Sequence, residues 1–184
     1  MFAIDLAEDA QLKPLEVWHA EEFLAHMDRG REFIGRFVGF PDRATDLDSA
    51  RELLRTNAEK AANDGTRFFG IWVEGTLVGG VLYPAFDAAS GNCEVGCWLE
   101  PSAAGRGLVT AACRVLIDWA FNGRGMHRVE WHVATGNKKS IAVAERLGLT
   151  REGVMRENHL HRGVRQSTEI WAVLAHEWSA ARPA

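Results

Sequence analysis

Between Gly96 and Phe121 the hydrophobic period of the chain switches from that of a strand to that of a helix, across a glycine turn. Cys97, Trp98 and Leu99 favour an extended backbone. Glu100 precedes Pro101 and is pushed out of helical angles. The turn reads Ser102-Ala-Ala-Gly-Arg-Gly107, where Gly105 and Gly107 permit a tight reversal and the close approach of a ligand. From Leu108 the apolar spacing is helical, with Leu108, Ala112, Val115, Leu116 and Trp119 on one side and Cys113, Ile117 and Ala120 beside it. A helix that opens on glycines presents unpaired N–H groups and the positive end of its dipole, which suits a phosphate. Gly105, Arg106, Gly107, Leu108 and Val109 are the candidate phosphate cradle. The plainer alternative is a tight strand-to-helix turn with no ligand. The spacing matches neither the P-loop nor the dinucleotide fingerprint, which argues against both nucleotide classes.

A chain of 184 residues suits one domain, 1–184, with a sizeable core. The formal net charge is −4 and no basic run occurs, so nucleic acid is not an expected partner. No apolar run is long enough to cross a bilayer, and the first residues, with Asp5, Glu8 and Asp9, lack the pattern of an export signal. A cytoplasmic location is expected. Cys93 and Cys97 lie four apart on an expected strand, about 13 Å between Cα atoms, too far for a disulfide. They read as reduced packing residues, with a nucleophilic role for Cys97 the lesser alternative. His159 and His161 can share a strand face, but no third ligand accompanies them and no metal is expected.

In chain order, Phe2 to Leu6 reads as an edge strand, followed by a linker ending at Pro14. Val17 to Asp28 is an amphipathic helix interrupted at Gly30. Residues 31–40 form a short second helix or a loop, closed by Pro41. Asp46 or Asp48 caps a helix that runs to about Asn63 and stops at Asp64-Gly65. Phe68 to Val73 and Thr76 to Phe86 are strands joined by a Glu74-Gly75 hairpin turn. Cys93 to Glu100 is a strand leading into the glycine turn and its helix. Arg128 to Val133 is a strand, Asn137 to Leu147 a helix, and Val154 to His161 with Gln166 to Val173 a last hairpin. This order describes one α/β domain around a mixed, mainly antiparallel sheet flanked by helices.

Three segments carry a resemblance: Glu94-Val-Gly-Cys-Trp-Leu-Glu-Pro101, Gly105-Arg-Gly-Leu-Val-Thr110, and Asn137-Lys-Lys-Ser140 followed by Ala144-Glu-Arg-Leu-Gly-Leu-Thr-Arg-Glu-Gly153. In order and spacing the chain resembles the GNAT superfamily of acyl-CoA-dependent N-acyltransferases, in particular the RimJ/RimL-type ribosomal-protein N-acetyltransferases. The resemblance covers nearly the whole chain. It departs at Ser102, where the family usually has Gln or Arg, and at Cys97, where the subgroup often has Tyr. The resemblance implies acetyl-CoA as co-substrate, with its pyrophosphate on the cradle and its pantetheine arm paired to the main chain of the strand carrying Trp98 and Leu99. It implies that this strand splays from Arg128 to Val133, that the thioester lies in the gap, and that Asn137 bonds the pantetheine.

Aminolysis of a thioester needs a neutral amine and stabilisation of the departing thiolate, so a general base helps. Glu94 is the leading base, on one strand face with Gly96 and Trp98, against the alternative of an exposed carboxylate. His132 is the second candidate, and a water can relay the proton. Ser140 matches the subgroup serine and can donate to the thiolate, or it can simply cap its helix. Lys138 and Lys139 are candidates for the coenzyme phosphates, or solvated lysines. The acceptor site should draw on Trp18, Arg31, Phe33, Arg36, Phe37, His159 and His161. The acceptor is a primary amine, at a protein N-terminus or on a small molecule. A larger donor such as succinyl-CoA, a homodimer, and a non-catalytic acyl-CoA-sensing module of the same fold all stay open.

Overall fold

The computed structural model describes residues 3–180. Eight strands form one sheet: β1 (Ile4–Ala7), β2 (Ala10–Pro14), β3 (Arg67–Val73), β4 (Thr76–Asp87), β5 (Asn92–Leu99), β6 (Arg128–Ala134), β7 (Thr150–His161) and β8 (Val164–Leu174). Their spatial order is β1-β2-β3-β4-β5-β6-β8-β7. Every neighbouring pair is antiparallel except β5 and β6. Three helices, α1 (Ala20–Ile34), α2 (Phe40–Arg43) and α3 (Leu47–Ala62), supply the core on one face with Phe23, Met27, Ile34, Leu53 and Leu54. The other core holds α4 (Leu108–Asp118), α5 (Lys138–Arg146) and α6 (Ala175–Ala180), through Leu108, Ile117, Ile141 and Trp178. Burial on both faces suits near-continuous apolar strands such as β3, Arg-Phe-Phe-Gly-Ile-Trp-Val.

Several sequence expectations need correction. Phe2 lies outside the described residues, and the first strand begins at Ile4. The presumed linker contains β2, which pairs with both β1 and β3. Gly30 does not interrupt the first helix: α1 runs through it to Ile34, held by its buried stripe of Phe23, Met27, Gly30 and Ile34. Close packing at this position outweighs the poor helix propensity of glycine. Pro41 lies in the first turn of α2, just after Phe40, rather than closing a segment, since proline is compatible with a first helical turn. A further helix, α6, follows the last strand. Asp46 is the cap of α3, accepting from Ser49 N at 2.8 Å.

Two features of the sheet shape the centre of the molecule. Between Leu82↔Gly96 and Ala85↔Glu94, β4 carries one more residue than β5, a bulge that contains Pro84, which has no N–H to offer a ladder. The parallel pair β5–β6 is short: Asn92↔Arg128, Cys93↔Val129 and Glu94↔Glu130. Beyond Glu94 the strands part, while Gly96 to Leu99 remain bonded to β4. A cleft thus opens in the middle of the sheet, with α4 at the end of β5 and α5 at the end of β6.

Candidate active site

At the end of β5, Gly105 and Gly107 hold φ of +83° and +74°. A Cβ at either would meet nothing within 4 Å, so the left-handed backbone, not crowding, calls for glycine. Gly107 is the N-cap of α4, which has no side-chain cap and no acidic residue in its first turn. The first amides of α4, including those of Leu108 and Val109, therefore lack the partner a cap supplies. The Arg106 guanidinium is clasped by both oxygens of Asp9, at 2.6 and 2.8 Å. That side chain braces the turn against the β1–β2 connection. Arg146 of α5 reaches Thr110 Oγ1 at 3.3 Å and brings a second guanidinium to the first turn of α4. Its sequence signal, a helical Arg in Glu-Arg-Leu-Gly, lies far from α4 along the chain. Ser102 turns back to donate to Glu100 Oε1 at 2.8 Å, away from any phosphate role.

Trp98 is buried, and its ring lies against Gly80 of β4, where a Cβ would stand 2.3 Å from Trp98 Cη2. The indole N–H donates to His26 Nε2 at 3.1 Å. That contact fixes the tautomer, since an indole can only donate: His26 Nδ1 carries the proton and faces Glu100 Oε2 at 3.1 Å. Arg29 Nε adds a bond to the same oxygen at 3.2 Å. Burial lowers the pKa of His26, against the opposing pull of Glu100. For Glu100, burial resists the charge, but Ser102, Arg29 and His26 outweigh it and hold the carboxyl below its ordinary range. The side chain of Trp98 is thus part of the scaffold under β5, and the main chain of Gly96 to Leu99 is paired to β4 but not to β6. Cys93 and Cys113 are buried free thiols, and burial pushes Cys93 up to about 12. Cys113 is raised by burial and by the neighbouring Cys97, so Cys97 packs against a second thiol rather than against a base.

On the α1 side of the cleft, Glu94 Oε2 and His132 Nδ1 approach to 3.6 Å. The strand spacing puts Glu94, Glu130 and His132 on one face. Glu130 Oε2 accepts from His132 Nε2 at 2.8 Å, and Glu130 Oε1 accepts from Arg128 Nε at 2.8 Å. Arg128 reaches on to Glu152 at 2.7 Å. With Nε2 engaged by Glu130, the ring of His132 turns Nδ1 toward Glu94. Burial raises the Glu94 pKa, His132 opposes the rise, and the charge of Glu130 adds to it. Glu130 is lowered: burial disfavours its charge, but Arg128 and His132 prevail. The two candidate bases of the sequence thus belong to one cluster. Glu130 was missed, although its alternation with Arg128 and His132 along one strand was a usable signal.

On the α5 side, Asn137 rather than Ser140 is the helix cap, accepting from Ser140 N at 3.2 Å. The Ser140 hydroxyl instead accepts from Trp131 Nε1 at 3.1 Å. Lys139 lies over the ring of Phe33 at 4.8 Å, so α1 meets α5 across the mouth of the cleft. His161 Nε2 bonds Gly35 O at 2.8 Å and stacks on His159, which fastens the last hairpin to the end of α1. Arg162 to Asp42 at 2.9 Å adds a second fastening. The other acceptor candidates lie on and around α1. Arg31 is bound to Asp28, Pro41 O and Ala44 O as a staple between helices. Trp18 is exposed and touches His19, which packs on Trp72 of β3, two strands from β5. Arg36 pairs loosely with Glu32 at 3.6 Å, and Phe37 is partly exposed. No group of metal-ligating side chains occurs among the described residues. None of their helices is long and apolar enough to cross a membrane.

A family model described as acetyltransferase (GNAT) domain matches residues 10–150. YdaF of Bacillus subtilis (strain 168), which bears the name of a ribosomal N-acetyltransferase, is 28% identical over 183 residues, covering 99% of this chain and 100% of its own length. YjcK of the same strain, which bears the name of an N-acetyltransferase, is 31% identical over 169 residues, covering 89% of this chain and 92% of its own. The solved structure of RimL, a ribosomal L7/L12 alpha-N-protein acetyltransferase in complex with coenzyme A, superposes with a TM-score of 0.87 at 18% identity, covering 94% of this chain and 97% of that one. This last likeness is one of fold.

Proposed function

Because the chain belongs to the acetyltransferase (GNAT) family, we propose that it transfers an acetyl group from acetyl-CoA to a primary amine, the α-amine at a protein N-terminus. The donor follows from the family and from the fit of the site: left-handed glycines, an uncapped α4 and a stretch of β5 bonded on one side only. The acceptor class follows from the name of YdaF, a ribosomal N-acetyltransferase similar over its whole length. A small amine, and a larger acyl group such as succinyl, are the alternatives for the same chemistry. The observation that carries the reading is the cleft between β5 and β6, which has carboxylate and imidazole on one face and the Ser140 hydroxyl by the other.

Acetyl-CoA supplies the acyl group as a thioester. Gly105 to Val109 hold the pyrophosphate through main-chain N–H groups and the positive end of α4. Gly96 to Leu99 present main-chain donors and acceptors to the pantetheine arm, and the Asn137 amide reaches it from the other wall. Glu94 takes a proton from the ammonium group, directly or through a water, so that the amine lone pair can attack the carbonyl. Its raised pKa makes it a stronger base than a free carboxylate, and His132 stands at 3.6 Å to share the proton. The C–N bond forms, the C–S bond breaks with its electron pair staying on sulfur, and the second proton lost by nitrogen passes to that sulfur, while Glu94 releases the first to water. Ser140 donates a hydrogen bond to that developing thiolate. The balance is thioester plus ammonium giving amide, thiol and one proton to water.

The test is thiol release from acetyl-CoA, with N-terminal serine, alanine and methionine peptides and a set of small amines as acceptors, repeated with succinyl-CoA. Turnover with a peptide, absent with the small amines, is expected. Turnover with small amines alone would overturn the acceptor assignment. Coenzyme binding with no thiol release from any acceptor would overturn the base and acid assignments.

A further inference from the structure

We infer that Trp131 is a positioning residue that orients the Ser140 hydroxyl toward the sulfur; this deepens, and rests on, the role proposed for Ser140. Trp131 lies at the centre of β6, paired with Trp171 of β8, and is 2% exposed. Its neighbours Glu130 and His132 face the α1 side of the sheet, so alternation sends its indole to the α5 side. A buried indole N–H needs an acceptor and can only donate. It finds Ser140 Oγ at 3.1 Å.

That single contact settles how the hydroxyl divides its bonds. One lone pair of Oγ is taken by the indole, so the hydroxyl proton points elsewhere. A serine within a helix commonly donates back to the carbonyl four residues earlier, whereas the bond made by the Ser140 hydroxyl among the described residues is the one it accepts from Trp131. The main-chain N–H of Ser140 is held by Asn137 Oδ1 at 3.2 Å, which anchors the residue at its other end. Ser140 is left as a fixed hydroxyl with an uncommitted proton at the head of α5, beside the cleft. Without the indole, the hydroxyl rotor is free to turn back onto the helix, and the donor to sulfur is lost for part of the time.

The same donor should act on free coenzyme A in the product complex, where a hydrogen bond to sulfur favours thiolate over thiol. Coenzyme A is therefore the probe, bound to the full chain, with its thiolate followed by ultraviolet absorbance as pH is raised. Ser140→Ala should move the bound thiol's titration to higher pH. Trp131→Phe, which keeps an aromatic ring in the core, should move it the same way by a smaller amount. The double variant should titrate with Ser140→Ala and no further. Lys138 and Lys139, on the same turn of α5, are unchanged in all three proteins. Turnover should follow the same order, Ser140→Ala losing about 10–100-fold in kcat, less than a typical oxyanion donor because sulfur is the weaker acceptor.

The outcomes separate the two readings. If Ser140→Ala raises the titration and Trp131→Phe leaves both it and kcat unchanged, Ser140 keeps its role and the positioning role of Trp131 is overturned. Additive losses in the double variant would equally overturn it, since the indole would then act through the fold. If Ser140→Ala itself changes nothing, the role of Ser140 falls first and takes this inference with it. Should Trp131→Phe fail to fold, the indole N–H resonances of the wild-type chain decide. One must move in Ser140→Ala and again when coenzyme A binds, and none moving would overturn the inference.

Discussion

Replacing Gly107 by Asp puts a carboxylate at the position where the pyrophosphate is proposed to sit. The perturbation to the fold is small and can be worked out. Gly107 holds φ +74° and an added Cβ meets no atom within 4 Å, so backbone strain is the main penalty, about 1–2 kcal/mol for a non-glycine residue. A negative charge at the N-terminus of α4 offsets part of this, by about 0.3–1 kcal/mol. The net loss of about 1 kcal/mol corresponds to a melting temperature lower by about 2–4 °C in a chain of this size. Binding is affected far more. A carboxylate roughly 6 Å from one phosphate charge is repelled by about 3 kcal/mol at an effective dielectric of about 20. That alone is about a hundredfold in Kd, and the second phosphate adds to it. Titration calorimetry with coenzyme A, beside a thermal melt, reads both effects. Gly107→Asn is the control, with similar shape and strain and no charge, and it should keep most of the affinity. The gap between the Asp and Asn variants should narrow as salt rises. Wild-type affinity in a folded Gly107→Asp protein, or equal losses in both variants, would refute the placement of the pyrophosphate.

Substitutions at three further positions have expected outcomes. Glu94→Gln should lower kcat/KM by about 10²–10⁴-fold at neutral pH, with the deficit shrinking as pH rises and free amine becomes abundant; a wild-type rate at neutral pH would leave Glu94 without a catalytic role. The raised Glu94 pKa means the folded chain holds this proton more tightly than the unfolded chain, so the group's contribution to stability falls as pH rises through the folded value. Glu94→Gln should accordingly melt no lower than wild type at neutral pH, and a lower melt there would contradict the burial argument. Asn137→Ala should lose about 1 kcal/mol of stability through the α5 cap as well as coenzyme affinity, whereas Asn137→Asp should restore the melt and not the affinity; restoration of both would assign Asn137 to the cap alone. Gly80→Ala should lower the denaturant midpoint by the equivalent of about 1–3 kcal/mol, since its Cβ would stand 2.3 Å from Trp98 Cη2 and 2.4 Å from Phe69 O, and an unchanged midpoint would mean the ring is not seated there.

What the amino-acid sequence by itself determined is what neighbouring residues decide among themselves. The strand–glycine turn–helix junction from β5 to α4 is legible because Pro101, Gly105 and Gly107 set local backbone angles and Leu108 onward sets a period. The Asp46 cap of α3 and the Glu74-Gly75 turn, with φ of +48° and +81°, are legible for the same reason. Glu94, His132, Asn137 and Ser140 could each be singled out by type and position. Their arrangement belongs to the tertiary structure. β2 is too short and too polar to announce itself, and it becomes a strand because β3 and β1 bond to it on either side. Gly30 stays helical because the residues around it on α1, Phe23, Met27 and Ile34, are buried together in the core. Trp98 turned out to be scaffold because His26, from a helix far away in the chain, is the acceptor for its N–H. Glu94 meets His132 because β5 and β6, separated in sequence by the whole of α4, pair in parallel up to Glu94 and then part. Backbone angles and caps depend on interactions within a few residues, whereas strand register and buried hydrogen bonds depend on which distant segments meet when both faces of the sheet are covered.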